Sequence, residues 1–169
     1  MNYKDARPLI KSGDLLAFSH GSWLSLGGIE TNLVRICTRS TYSHVGVAWV
    51  VAGRVFVLEA VKPKIRIFPL SQSGGFYLIG LDAPWKPETE TFALSCVGKL
   101  YSNLAAIDGF LNRLTPHSVQ QCAAYVMEVL CRDGIDVGTR TTPDSIVHKA
   151  LENGGTLVYV KSEEIDLSQ

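Results

Sequence analysis

The sequence lacks an excess of charge of one sign, and it has no long run of basic side chains. Sixteen lysines and arginines balance sixteen aspartates and glutamates over 169 residues. Binding to a nucleic-acid backbone is driven by clustered lysine and arginine. The nearest approach to a cluster is the alternating set Lys62, Lys64 and Arg66, a pattern more typical of a solvated strand edge. We therefore expect no nucleic-acid partner.

Long apolar segments are also missing. The longest apolar stretch, residues 45–52, contains Gly46 and is much too short to cross a bilayer. The N-terminal stretch MNYKDARPLIKSGD has no apolar core of the kind found in a signal peptide or an anchor. The sequence therefore predicts a soluble, cytoplasmic protein without a transmembrane segment.

Paired cysteine motifs are absent as well. The four cysteines, Cys37, Cys96, Cys122 and Cys131, show no CxxC spacing, and no secretory signal accompanies them. Such cysteines are predicted to be reduced thiols rather than disulfides. The cysteines and histidines have no recognisable zinc-ligand spacing, so we expect no metal and no cofactor.

The elements that the sequence does contain are strands first and helices later. Runs rich in β-branched and aromatic residues predict strands at 15–18, 45–51, 55–61, 64–70, 76–81 and 156–160. Helical spacing predicts helices at 27–37, 91–101 and 118–132, and another that follows Thr142. Residues 84–90 are linker-like but too few to separate domains. The order predicts one α+β domain over residues 1–169.

Two of the predicted strands place a histidine beside a glutamate. If Ala52 and Gly53 form a two-residue turn, Gly46 faces Glu59, and His44 is a diagonal neighbour of Glu59, about 7–8 Å away at the backbone. Both faces of these strands are apolar, so the strands are predicted to be central, where the two polar groups must satisfy each other. A purely structural pair and a functional pair both fit this pattern.

Cys122 lies in the first turn of the helix predicted at 118–132. Free backbone N–H groups and the helix dipole favour the thiolate form of a cysteine at such a position. The small residues Ala123 and Ala124 leave room for a substrate. Core packing is the alternative role for Cys122, and it is the predicted role of the other three cysteines.

These segments together resemble a known family. The segments are Gly-Asp-Leu-Leu at 13–16, Tyr-Ser-His-Val-Gly-Val at 42–47, Leu-Glu-Ala-Val at 58–61 and Gln121-Cys122 at a helix start. They are similar to the circularly permuted branch of the NlpC/P60 papain-like superfamily, in particular to YiiX-type proteins and more distantly to lecithin–retinol acyltransferase-like proteins. The resemblance implies a circularly permuted papain-like fold, with an antiparallel sheet packed against helices, and it fits a bacterial or phage protein.

The resemblance also implies the residues of a thiol active site. Cys122 would be the nucleophile, His44 its base and Glu59 the group that orients the histidine. The candidates for stabilising the oxyanion or lining the substrate cleft are Gln121, Tyr42 and Tyr101, together with the backbone N–H of Cys122.

The three other histidines have weaker predicted roles. His117 is either a surface residue or a substrate contact, and His20 is a candidate for the rim of the site. His148 is predicted to lie on the surface of a late helix.

Three functions are consistent with the sequence. The first is a cysteine-dependent hydrolase of amide bonds, in a peptide or peptidoglycan-like substrate, or of thioester or ester bonds. The second is acyl transfer on a lipid substrate, for which Trp23, Leu24 and Leu26 in the loop 21–28 would supply an apolar patch. The third is an inactive papain-like module that binds a partner. It is kept open by Ala123-Ala124, where YiiX-type proteins usually have Ser-Glu. The oligomeric state is left open.

Overall fold

The computed structural model describes residues 1–19, 41–100, 119–139 and 142–161, with the backbone alone at 119–121. The strands are β1 (Leu15–Phe18), β2 (His44–Val51), β3 (Arg54–Val61), β4 (Lys64–Pro69), β5 (Phe76–Gly80) and β6 (Thr156–Val160). The helices are α1 (Tyr3–Ala6), α2 (Pro87–Ser95), α3 (Val119–Arg132) and α4 (Pro143–Glu152). Short 3-10 turns lie at Arg7–Leu9 and Leu70–Gln72.

The six strands form one sheet in the order β4-β3-β2-β1-β5-β6, and every neighbouring pair is antiparallel. The strands β2 and β3 are therefore interior strands, as their apolar faces predict. The α+β class and the antiparallel sheet are confirmed for the described residues. Most strands precede the longer helices, but α1 precedes β1 and β6 follows α4.

The sheet has an apolar core on each face, because side chains alternate across a strand. The helix-side core joins alternate residues of β1, β2 and β3 to α2, α3 and α4; its sheet members include Leu15, Val47 and Leu58. The opposite core joins the other residues of the same strands to the N-terminal segment, and it includes Phe18 and Val57. Both faces of the central strands are thus largely buried.

The helix α3 supplies much of the helix-side core. Its residues Ala123, Val126, Val129 and Leu130 recur at helical spacing and are fully buried, and the helix contacts β2 and β3. Across the described ranges of the chain, no helix has the length and apolar character needed to cross a membrane.

The hairpin of β2 and β3 has the register that the sequence predicts. Val51 pairs with Arg54, and the ladder continues to Val47 and Leu58. Between the strands Ala52 and Gly53 have φ values of 48° and 71°, the left-handed conformation that a two-residue turn of type I′ requires. This register puts His44 and Glu59 on the same face of the sheet.

The helix α2 differs from its prediction. It begins at Pro87 rather than at residue 91, and it ends at Ser95. Proline is favoured in the first turn, where its missing N–H is not needed. The chain turns after Cys96, and Gly98 adopts a φ of 83°, which stops the helix well before residue 101. The linker-like interpretation of 84–90 is therefore wrong from Pro87 onwards. The helix predicted at 27–37 lies outside the described residues.

The core role predicted for the other cysteines is right at one position and wrong at another. Cys96 is fully buried in the helix-side core. Cys131 is exposed, because it lies nine residues after Cys122 and therefore half a turn around α3, on the side that faces away from the sheet. Cys37 lies outside the described residues.

Gly46 marks the closest packing in the hairpin. A Cβ at this position would clash with the side chain of Val57 and would lie 3.0 Å from the carbonyl oxygen of Leu58 and 3.3 Å from the Cβ of Glu59. We expect Gly46→Ala to lower the free energy of unfolding by about 1–3 kcal/mol, the usual cost of overpacking a core. Denaturant unfolding followed by circular dichroism measures this change.

The matched control is Gly53→Asn in the turn of the same hairpin. Within the part of the chain that the structure describes, no atom lies within 4 Å of a Cβ built on Gly53, and asparagine tolerates a positive φ. We expect this variant to stay within about 1 kcal/mol of the parent. Equal stability of Gly46→Ala and the parent would contradict the packing argument.

Candidate active site

The site is organised around the carboxylate of Glu59, which lies in β3 and is 0% exposed. Each of its oxygens has its own partner. The Nε2 of His44 donates to Oε2 at 2.8 Å, and the Nε of Arg66 donates to Oε1 at 2.7 Å. A buried carboxylate is strongly destabilising unless it is paired and hydrogen-bonded. Both requirements are met here by groups on the two neighbouring strands.

His44 is the first residue of β2, and its side chain is 24% exposed. Its ring lies 5.7 Å from the ring of Phe18, a member of the core opposite the helices. The structure therefore brings His44 and Glu59 into direct contact, on the face that the hairpin register assigns to them.

Cys122 reaches the same histidine from the other side. It lies in the first turn of α3, is 2% exposed and belongs to the helix-side core. Its side chain forms a hydrogen bond with the His44 ring. Because Nε2 of that ring is engaged with Glu59, Nδ1 is the nitrogen left for the thiol. His44 thus contacts members of both cores and links the thiol to the carboxylate.

The charges around the ring shift the pKa of His44. Burial by itself lowers the pKa of an imidazole, but the charge and hydrogen bond of Cys122, followed by those of Glu59, together raise the pKa of His44 from 6.5 to about 10. The ring therefore holds its proton at neutral pH. A protonated imidazole beside a sulfur favours the thiolate form of a cysteine.

Arg66 is the residue that the sequence analysis missed. It was assigned to a solvated edge with Lys62 and Lys64, but only part of its side chain is exposed (35%) and it pairs with Glu59. Its guanidinium also lies over the ring of Phe68, 4.8 Å from the centroid. The sequence did contain a signal. A two-residue turn at 62–63 pairs Val61 with Lys64, and the same register sets Arg66 opposite Glu59.

Tyr42, a candidate for the substrate cleft, lies in the core. It is buried, and its ring meets the ring of Tyr77 edge to face at a centroid distance of 5.2 Å. Burial, followed by the charges of Tyr77 and Asp144, raises the pKa of its hydroxyl. Tyr42 thus packs in the helix-side core two residues before His44, and its role in lining a substrate cleft stays a prediction.

The remaining candidates fall into three groups. His148 lies on the surface as predicted, with its side chain 72% exposed and its Nε2 3.7 Å from Asp144. For Gln121 the described structure includes the backbone within α3 but not the side chain. The candidates that lie outside the described residues are Tyr101, His20, His117 and the apolar loop residues Trp23, Leu24 and Leu26.

The donor set of the site suits proton transfer better than metal binding. Within the described ranges, no three His, Cys, Asp or Glu side chains are grouped so that they could hold a metal ion. Glu59 has both oxygens engaged, one of them by the cationic Arg66. The positive charge of an arginine on a carboxylate disfavours a second cation there, and its hydrogen bond uses one of the acceptor sites.

Comparisons with known proteins bear on the fold. No protein-family model matches the chain, and no curated protein has significant sequence similarity to it. Among solved structures, the chain is similar to the crystal structure of metalloprotein yiiX from Escherichia coli O157:H7, DUF1105. The two are 20% identical with a TM-score of 0.53, and the match covers 76% of this chain and 69% of that chain. At this level of identity the likeness shows a shared fold, that of a YiiX-like structure.

Proposed function

We propose that the protein is a cysteine-dependent hydrolase in which Cys122, His44 and Glu59 act as nucleophile, acid–base group and orienting carboxylate. The observation that carries the proposal is the position of His44, which is hydrogen-bonded to Glu59 at 2.8 Å and also to the thiol of Cys122. A nucleophile, a base within hydrogen-bonding reach and a third group that orients the base are the parts that nucleophilic catalysis requires.

The first half of the reaction forms an acyl-enzyme. The thiolate of Cys122 attacks the carbonyl carbon of the substrate, and the electron pair of the carbonyl moves onto its oxygen. His44, protonated at neutral pH, then donates its Nδ1 proton to the leaving amine, alcohol or thiol as the tetrahedral intermediate collapses. The products of this half are a thioester on Cys122, a neutral imidazole and the released group.

The second half restores the enzyme. The neutral ring of His44 accepts a proton from water, and the resulting hydroxide attacks the thioester carbon. The acid leaves, and Cys122 departs as a thiolate beside the protonated ring. Glu59 keeps the ring in one orientation through both halves, because its hydrogen bond to Nε2 fixes which nitrogen faces the sulfur.

The developing oxyanion needs hydrogen-bond donors near the sulfur. The backbone N–H of Cys122 and the side chain of Gln121 are the proposed donors, because both belong to the first turn of α3. The partial positive charge at the N-terminus of a helix adds to their effect.

The proposed substrates are amides of the peptide or peptidoglycan-like class, with thioesters or esters as further substrates. The family resemblance supports this class. In the chain the histidine strand β2 precedes the cysteine helix α3. We propose that this order is that of a circularly permuted papain-like fold. The solved neighbour is described as a metalloprotein, but we assign no metal step to this chain, because both oxygens of Glu59 are already engaged.

The two other candidate functions receive less support. Acyl transfer on a lipid depends on the loop 21–28, which lies outside the described residues. A binding module without activity would have no need to place Cys122 against a histidine whose pKa is raised to about 10. This chain has Ala123 where YiiX-type proteins usually have serine. The difference leaves the contact between Cys122 and His44 in place, since Ala123 is fully buried in the helix-side core.

Thiol labelling tests the nucleophile directly. We expect iodoacetamide at neutral pH to label Cys122 faster than Cys96 or Cys131 in the folded protein, as read by peptide mass mapping. Cys122 and Cys96 are both buried, so the contrast between them tests the effect of the His44 ring on Cys122 rather than exposure. Cys131 is exposed, but partial burial of its thiol and the nearby charges of Glu128 and Asp136 raise its pKa. Faster labelling of Cys131 would count against Cys122 as the nucleophile.

Substitution tests turnover on a panel of amide, ester and thioester substrates. We expect Cys122→Ser to lower kcat by at least about a thousandfold, because serine is far less ionised than cysteine at neutral pH. Cys131→Ser is the matched control on the same helix and should keep the parent's kcat. A Cys122→Ser variant that turns over a substrate at the parent's rate would exclude the hydrolase mechanism.

The pH dependence of kcat/KM tests the state of the histidine. Since the pKa of His44 is raised to about 10, the proton donor is present below that pH and is lost as the pH rises through it. We expect the alkaline limb of the profile near pH 10 in the parent and at lower pH in Glu59→Gln, where the negative partner is gone. An alkaline limb near the ordinary histidine value in the parent would contradict the charged pair.

A further inference from the structure

We propose that Arg66 is a positioning residue of this site, which holds the Glu59 carboxylate against His44 and thereby sets the pH at which Cys122 becomes reactive. The inference rests on the proposed function, because it concerns the same thiol. It adds a fourth residue to the site, on a strand that carries none of the other three.

The geometry ties Arg66 to the carboxylate rather than to solvent. The two residues are directly paired across β3 and β4, and Nε of Arg66 is 2.7 Å from Oε1 of Glu59. The guanidinium is also stacked over Phe68 at 4.8 Å, which limits its orientations. With Oε1 held in this way, Oε2 is directed at His44 on the opposite side.

The charges of the site explain why one arginine matters. His44 from β2 and Arg66 from β4 face Glu59, and Cys122 from α3 faces His44. With a thiolate, an imidazolium, a carboxylate and a guanidinium, the four charges cancel. Without the guanidinium the remaining three groups, Cys122, His44 and Glu59, have a net negative charge. The thiol of Cys122 therefore keeps its proton to higher pH.

The effect is measurable without a substrate. The rate of iodoacetamide alkylation of Cys122 rises with pH as its thiolate forms, and the midpoint of that rise is the readout. We expect Arg66→Gln to move the midpoint upward by about one pH unit. This is the low end of the shift of about 1–3 units that a directly contacting charge causes, because Arg66 acts on the thiol through Glu59 and His44. This change corresponds to about tenfold slower alkylation on the acid side.

Three variants define the interpretation. Arg66→Lys keeps the charge but loses the planar fork of donors, so its midpoint should lie between those of the parent and Arg66→Gln. Lys64→Gln, the matched control, removes the same charge from an exposed position two residues earlier on β4 and should leave the midpoint unchanged. In a Glu59→Gln background, Arg66→Gln should move the midpoint much less, because Arg66 acts through the carboxylate.

A structural role alone gives a different result. It would lower the melting temperature of Arg66→Gln and leave the midpoint at the parent's value, which would overturn the inference. An equal shift in the parent and Glu59→Gln backgrounds would also overturn it, because Arg66 would then act directly on the thiol. If Arg66→Gln does not fold, Arg66→Lys decides, and a midpoint identical to the parent's would reject the positioning role.

The same assay separates this inference from the proposed function. If Cys122 in the parent reacts no faster than the exposed Cys131, the thiol mechanism fails and the role of Arg66 fails with it. If Cys122 reacts fast and the reaction depends on His44, but Arg66→Gln matches the parent, the hydrolase proposal stands and only the positioning role is lost.

Discussion

A carboxylate that is closed off from water must find its positive partners within the protein, and this constraint governs the arrangement around Glu59. Its partners come from both adjacent strands, so the order β4-β3-β2 places a cation donor on each side. Removing one partner of a buried ion pair typically costs about 3–5 kcal/mol, because the other charge is left unpaired. The hairpin register and the direction of the histidine ring meet this requirement, and Gly46 leaves room beside the Glu59 side chain.

The part of this arrangement that local rules determine could be predicted from sequence. Strand alternation and the turn at Ala52-Gly53 are short-range features, and together they determine which side chains share a face. This is why the relation of His44 to Glu59 was predictable. Arg66 was missed because an alternating basic pattern has the same appearance in a solvated edge strand and in one that faces a buried acid.

The contact between α3 and the start of β2 could not be derived in the same way. It joins segments far apart in the chain, and the periodicity of α3 identifies its apolar side without saying where along the sheet the helix lies. The expectation came instead from a family resemblance. The amphipathic character of α3 also explains why the predicted core role of Cys131 is wrong. An apolar residue type near the end of a helix does not by itself show that the side chain faces the core.

His44 lies at the meeting point of two cores that are otherwise separated by the sheet. The carboxylate side belongs to the layer that contains Val57, and the thiol side to the layer that contains Val126. The proposed nucleophile on a helix and the proposed base on a strand are thus held by independent packing. The similarity to YiiX at 20% identity shows a shared fold. The proposed thiol chemistry depends instead on the side chains of this chain.

The three charged residues of the site lie within the continuous segment 44–66, in two hairpins with two-residue turns. Cys122 joins them from elsewhere in the chain, on α3. An evolutionary rearrangement that moves α3 before or after this segment therefore leaves the histidine, its carboxylate and the arginine in the same register. The double hairpin is a self-contained unit, so the chain order of the proposed nucleophile and the proposed base can change without disturbing it.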